Sequence, residues 1–292
     1  MEFRKALNSK DFVITVEVAP PKGIDRTHLR KHIKPLIGRV DAINITDFQG
    51  ASVRMSALSA ALTVIEEGFE PVLHITGRDR NRIAIQGEII SAASLGIKNF
   101  LALTGDHPSL GDNPAAKPVF DLDSVGILRA IRELSEGRDM GNNQIDTPLN
   151  LFAGAVTNPS FTPQELQIIT MKKKIKAGAQ FFQTQAVFEL QRWKSFIKLM
   201  SDSGIKTKIL AGIIPVRSVR MATFMNEHIP GIIVPEHIIK RIANASNPLE
   251  EGFKIAAEII IAIRREHLAD GIHIMPIASL NKLPMLLDMI GV

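Results

Sequence analysis

The chain has no cysteine, so it carries no disulfide, no thiolate zinc site and no cysteine-ligated iron–sulfur cluster. Redox chemistry in such a chain needs a bound organic cofactor or a partner. Aromatic residues are scarce at 5%, and the basic residues are dispersed along helical segments, which argues against a nucleic-acid surface. No apolar run approaches the ~20 residues of a transmembrane helix. The opening MEFRKALNSKDF is charged throughout and lacks the apolar centre of a signal peptide. These absences predict a soluble, cytoplasmic protein. Neither sign of charge dominates: 35 basic and 30 acidic residues give a net +5 and a pI near 9.5. That suits an anionic ligand such as a phosphate or polycarboxylate without requiring one.

What the chain does have is alternation. Apolar segments of strand length at residues 12–18, 42–46, 71–76, 99–104, 149–155, 180–185, 208–214 and 271–275 are each followed by segments of helical period. A β-then-α order without consecutive strands predicts a parallel sheet, and eight strands is the number that closes a barrel. The length of 292 residues is within the range of one such domain. No G-x-G-x-x-G follows the first strand and no Walker A loop occurs, which sets a closed barrel above an open sheet. The expected architecture is therefore α/β, a single (β/α)8 TIM-type barrel over residues 1–292, with extra helices between 218 and 269, before the last strand. A helix is expected to start at residue 52, and another to be capped by Thr162 with Pro163 at its first position. Residues 105–123, rich in Gly, Pro and Asp, read as a functional loop. Residues 137–148 are polar and expected to be mobile.

Parallel barrels meet their ligands at the carboxyl ends of the strands. Glu17, Thr46, His74, Thr76, Thr104, Asp106, Thr184 and Gln185 collect there from five strands. Glu17 is flanked by valines in ITVEVAPP; apolar surroundings favour a protonated carboxyl, which serves as a general acid near neutral pH. The plainer alternative is one half of a structural ion pair. Asp106 follows Gly105, whose missing side chain lets the backbone approach a planar ligand. A carboxylate there accepts two parallel hydrogen bonds from an amidine-like edge such as that of a pterin, or it simply serves a turn. Gln185 offers a donor and an acceptor to a heterocycle edge. His74 is either a contact to flavin or phosphate or a hydrogen-bonded core residue. His28 and His32 have metal-compatible spacing on a helix but no third ligand, so no metal is expected. Lys172, Lys173, Lys174 and Lys176 form a basic cluster, one member of which is expected to reach a cofactor phosphate.

With these residues assembled, the chain resembles the methylenetetrahydrofolate reductase family. EVAPPKG, INITDFQG, PVLHITGRD, FLALTGDHP, MKKKIKAGAQFFQTQAVFE, LAGIIPV and GIHIMP follow the family order and spacing. LTGDHPSLGDNPAAKPVFDLDSVG is similar to the short bacterial form and to the reductase half of fusions with a homocysteine methyltransferase. The resemblance implies a flavin-bearing barrel that reduces 5,10-methylenetetrahydrofolate to 5-methyltetrahydrofolate. It makes Glu17 the general acid that opens the imidazolidine ring to a 5-iminium cation. Asp106 would hold the pterin edge and tune the flavin, and Gln185 would contact folate. Thr46, His74 and Lys174 fall at flavin contacts; Thr76, Thr104, Gly105 and Asn158 complete the expected cofactor-binding set.

Two departures bear on the cofactor. Thr104 stands where the family motif has an arginine, and VTNPSF at 156–161 replaces a segment that commonly holds a tyrosine and a histidine. FAD and FMN both stay open, as do NAD(P)H and an electron-donating partner subunit. Short family forms pair with zinc-containing partner proteins, so a homo- or hetero-oligomer is expected. Two other classes also stay open: a pterin-binding methyltransferase acting on methyltetrahydrofolate, and a non-catalytic subunit of a redox complex.

Overall fold

A computed structural model of the chain describes residues 1–229 and 231–292. The eight apolar segments form eight strands: β1 (Val13–Val18), β2 (Ala42–Ile45), β3 (Pro71–Thr76), β4 (Asn99–Leu103), β5 (Phe152–Thr157), β6 (Phe181–Ala186), β7 (Lys208–Ile213) and β8 (Gly271–Ile274). Each pairs in parallel with the next, and β8 returns to β1 with Val16 opposite Ile274, which closes the barrel.

Eleven helices lie among the described residues. α1 (Phe3–Ser9) precedes the barrel, and α2 (Thr27–Ile33), α3 (Ala57–Glu66), α4 (Arg82–Ser94), α5 (Ser124–Ser135), α6 (Gln164–Ala177) and α7 (Leu190–Asp202) follow the first six strands in turn. Three helices, α8 (Val219–His228), α9 (Glu236–Ala243) and α10 (Pro248–Arg265), stand between β7 and β8, and α11 (Leu283–Met289) ends the chain. The extra helices before the last strand are where the sequence placed them.

Side chains on a strand alternate between its two faces, so each strand has an outer row and an inner row. The outer rows, such as Ile14, Val16 and Val18, join the helices in the main core. The inner rows stack in layers. Val13, Ala42, Val72, Leu101, Phe152, Phe181 and Leu210 form the lowest layer, and α1 closes it from below with Phe3, Ala6 and Leu7. The Phe3 ring meets Phe152 and Phe181 edge-on at 5.9 and 5.3 Å. Burying a side chain of this kind contributes roughly 1.5–3 kcal/mol. The plug was legible only as residues three and four apart on a helix, a weak signal in seven residues. Gly154 makes room for it: a Cβ there would lie 2.2 Å from the Phe181 ring.

Above this floor the barrel turns polar. Thr15, Asn44, His74, Gln183 and His273 fill the middle layer, each at most 4% exposed. Barrel layers are ordinarily made of bulky branched residues, so this layer serves something other than packing.

Two local expectations are corrected. The helix after β2 begins at Ala57, where Ser56 accepts from the Ser59 amide at 3.3 Å; residues before it turn through Phe48 and Ala51 at φ 47° and 52°. Thr162 does not cap α6. Its hydroxyl receives Arg192 at 2.5 Å, leaving Pro163 at the N-cap. Residues 137–148 form an internally bonded turn, with an antiparallel bridge between Arg138 and Gln144 and the Asn143 amide donating to Asp139 at 2.8 Å.

Candidate active site

Glu17 stands on the inner row of β1, directly above Thr15, with its side chain 15% exposed. Gln49 donates to its Oε1 at 2.9 Å, and His273 Nε2 from β8 lies 3.6 Å from its Oε2. On the far side of that ring, His273 Nδ1 meets Thr15 Oγ1 at 3.0 Å. Thr15 Oγ1 also lies 3.3 Å from Ile272 O and 3.5 Å from Gln183 Nε2. On the neighbouring strands His74 Nε2 meets Asn44 Oδ1 at 3.2 Å.

The expectation of a raised Glu17 pKa is reversed. Burial does push the carboxyl up, but the hydrogen bond and charge of His273, the charge of His74 and the Gln49 amide outweigh it, and the net shift is downward. Sequence reasoning saw the flanking valines, which point outward, and missed His273 altogether and the nearness of His74, which it had singled out on its own strand. The available signal was period two: Thr15, Asn44, Gln183 and His273 each lie on the same row as a strand-end residue already singled out or in a recognised motif.

His74 differs from His273 in its surroundings. Burial drives its pKa from 6.5 down to about 4, against the opposing pull of Glu17. An unfolded chain therefore takes up a proton near pH 6.5 that the folded barrel refuses until about pH 4. Stability should be steady above that window and fall through it as pH drops, by about 3 kcal/mol from this group. Glu17, whose folded pKa is lowered, acts in the same direction at the acid end. Urea midpoints measured across the window should show this slope in the wild type and a flatter one in His74→Asn; equal slopes would remove His74 as the cause.

The threonines at the mouth are engaged within the protein. Asp47, just past β2, accepts from the Thr76 amide at 2.9 Å and hydroxyl at 2.8 Å, and binds Arg80 through two hydrogen bonds of 2.7 and 3.0 Å. Thr46 is 4% exposed with its hydroxyl 3.5 Å from Val18 O. Thr184 donates to Gln185 O at 2.7 Å and accepts from the Gly212 amide at 2.9 Å. Thr104 is exposed and accepts from the Ser124 amide at 3.2 Å, at the start of α5.

Gly105 has a positive φ of 91°, and a Cβ there would lie 3.1 Å from Arg78 Cβ and 3.2 Å from Thr76 Cβ. Its glycine is thus required by backbone conformation and by close packing on β3, in addition to any ligand. Asp106 follows, exposed on the loop. Asn158 is occupied: its amide group donates to Gly231 O at 3.0 Å and its oxygen accepts from the Ser160 amide at 2.9 Å. Gln185 lies half-buried on the inner row of β6. Lys174 turns inward from α6, alone in its basic cluster, and donates to Val156 O at 2.7 Å. Burial lowers its pKa, with Asp123 pulling the other way.

The layout brings Glu17, Thr46, His74, Thr76 and Gln185 to one inner face and sets Thr104 and Asp106 on the loop above β4. An ammonium makes three hydrogen bonds, so Lys174 retains two N–H groups after serving Val156. That donor set fits the acceptor-rich edge of a flavin ring. Among the described residues no group of three or more His, Asp or Glu is placed to hold a metal ion, and no helix is long and apolar enough to cross a membrane.

Comparison with known proteins finds relatives of the chain. The "5,10-methylenetetrahydrofolate reductase" of Salmonella typhimurium is 23% identical over 207 residues, covering 70% of this chain and 64% of that protein. "Methylenetetrahydrofolate reductase 2" of Schizosaccharomyces pombe is 26% identical over 258 residues, covering 84% of this chain and 39% of that one. The matched stretch thus spans less than two thirds of these relatives' own length. Among solved structures, an uncharacterized protein from Clostridium thermocellum that binds two copies of 5-methyl-5,6,7,8-tetrahydrofolic acid shares the fold with a TM-score of 0.67 at 16% identity, covering 98% of this chain and 95% of that one. A family model described as "Methylenetetrahydrofolate reductase" matches residues 2–291, from the α1 plug through every strand that lines the mouth, and the chain belongs to the methylenetetrahydrofolate reductase family.

Proposed function

We propose that this barrel reduces 5,10-methylenetetrahydrofolate to 5-methyltetrahydrofolate with a bound flavin, FAD or FMN. The observation that carries the proposal is Glu17, a carboxyl on the inner row at the mouth, backed by His273 and oriented by Gln49. Family membership and the fold shared with a methyltetrahydrofolate-binding barrel support the substrate class.

In this reading the flavin supplies the hydride. The chain's own residues do the rest. Bound ligands that cover the mouth strip the remaining water from the Glu17 carboxyl and favour its protonated form; Glu17 then gives that proton to the bridging nitrogen of the folate, so that the five-membered ring opens to an iminium cation able to accept hydride. Asp106 receives the amidine-like pterin edge through two parallel hydrogen bonds, and Gln185 orients the neighbouring part of the ligand. Lys174 and His74 face the flavin, the first as a cation and the second as a neutral ring.

The test is an anaerobic one. The purified protein should show a flavin spectrum, and the dithionite-reduced protein should be reoxidised by 5,10-methylenetetrahydrofolate. Mass measurement of the released flavin separates FAD from FMN, and NADH and NADPH are tried as donors. A protein that takes up no flavin yet binds folate would overturn the proposal in favour of methyl transfer or of a reductase that works without flavin.

A further inference from the structure

Helix α4 is apolar on both of its sides. Ile85, Ile89 and Ala92 are buried and join the main core. At 3.6 residues per turn the opposite arc faces outward. It reads Ile83, Ala84, Gly87, Ile90, Ser91, Ser94 and Leu95, all exposed and none charged, with Ile83 77% exposed. The next helices around the barrel differ: α5 exposes Arg129 and Arg132, and α6 exposes Lys172, Lys173 and Lys176. A helix without a charged face is one that packs on both sides. The two serines do not make the arc polar. The Ser91 hydroxyl donates to Gly87 O at 2.8 Å and the Ser94 hydroxyl to Ser91 O at 2.7 Å, so each is spent on its own helix.

Gly87 points the same way independently. Glycine inside a helix weakens it relative to alanine, so its presence there needs a reason. Among the described residues Gly87, Gly126 and Gly252 stand inside α-helices. A Cβ on Gly126 would lie 3.1 Å from the Leu122 side chain, and one on Gly252 would lie 1.8 Å from Val216 O. At Gly87 a Cβ would meet nothing within 4 Å, and its φ is not positive. No contact within the chain calls for this glycine; a second backbone brought close from outside does.

We infer that α4 is a self-association surface, on which a second copy of this chain docks with its own α4 antiparallel. Two crossing helices are closest at the crossing point and diverge toward their ends, so self-packing needs small side chains in the middle and large ones outside. About a two-fold axis near residue 89, Gly87 of one copy falls opposite Ser91 of the other, Ala84 opposite Ser94, and Ile83 opposite Leu95. The members of each pair match in size, and the large pair lies at the ends. This symmetry is what an isologous interface imposes, and an unrelated partner has no need of it. The thirteen residues of α4 span about 20 Å, which covers only part of the roughly 800 Å² per partner that a standard interface buries. The dimer is therefore a reversible one whose population follows concentration. The surface lies outside the barrel, so its occupant does not depend on the reductase reading.

Sedimentation velocity on the purified chain over roughly 1 to 100 μM should show monomer passing into dimer. Gly87→Lys adds a charge where a side chain has open space, so the fold is kept: far-UV circular dichroism should be unchanged and the melting temperature, read at the dilute end, no lower than that of the wild type. The dimer should be lost at every concentration. Ile169→Glu, a comparable change at an exposed position of α6, should leave the dimer intact. Because the chain has no cysteine, the register has its own test. Gly87→Cys mixed with Ser91→Cys under mild oxidation should form disulfides between the two variants faster than either variant does alone. A wild type that stays monomeric throughout the range, or a dimer that Gly87→Lys leaves intact, would overturn the inference. So would a complex with a different protein, lost in Gly87→Lys, from a chain that is monomeric by itself. Faster coupling of either cysteine variant with itself would overturn the antiparallel register.

Discussion

Glu17→Gln should slow reoxidation of the reduced flavoprotein by 5,10-methylenetetrahydrofolate by about 10²- to 10⁴-fold, the usual weight of a positioned general acid. That is about 3 to 5 kcal/mol of transition-state stabilisation. Glutamine keeps the shape of the side chain. Its carbonyl can still accept from Gln49, as the Glu17 Oε1 does at 2.9 Å. It cannot give up a proton to the folate nitrogen. The loss should therefore appear in the folate-driven step and not in folding, nor in reoxidation by an artificial acceptor such as a quinone, which needs no acid. Stopped-flow absorbance with both oxidants makes the comparison. Full folate-driven activity in a well-folded, flavin-loaded variant would remove Glu17 from the chemistry.

A second large effect is expected in stability. The Asp47 side chain is 1% exposed and satisfies Arg80, itself 16% exposed, together with the amide and hydroxyl of Thr76. Asp47→Ala leaves a nearly buried guanidinium without its partner and the Thr76 amide without an acceptor, a cost of roughly 3–5 kcal/mol. At roughly 2–4 °C per kcal/mol for a sizeable domain, the melting temperature should fall by about 6–20 °C. Adding Arg80→Met should recover part of the loss, because the stranded charge is then gone. A melting temperature that Asp47→Ala leaves unchanged, or no recovery in the double variant, would show that the pair is dispensable. The two buried partners of Asp47 join β2 to β3, so the same change should also loosen the floor on which Gly105 rests.

The barrel itself was legible because burial repeats. Eight apolar segments of strand length, each followed by a helical pattern, leave little choice of architecture, and the observed strands lie within a few residues of the segments read. Strand ends were legible for the same reason, so Glu17, His74 and Gln185 were found. What was not legible was the company each residue keeps. Valines 16 and 18 belong to the outer row, so they do not desolvate Glu17; His273, more than 250 positions away, decides its charge. Thr76 and Asn158 carry polar groups that suit a ligand in isolation, yet Asp47 and Gly231 claim them through contacts that a linear reading does not reveal. The charged appearance of the first twelve residues hid the apolar stripe of α1.

That stripe makes the barrel a vessel with one opening. Phe3, Ala6 and Leu7 seal the lower end with a dry layer, so hydrogens reaching Thr15, His74 or His273 must come in through the same mouth that admits the ligands. While a ligand covers that mouth, the number of exchangeable hydrogens inside is fixed.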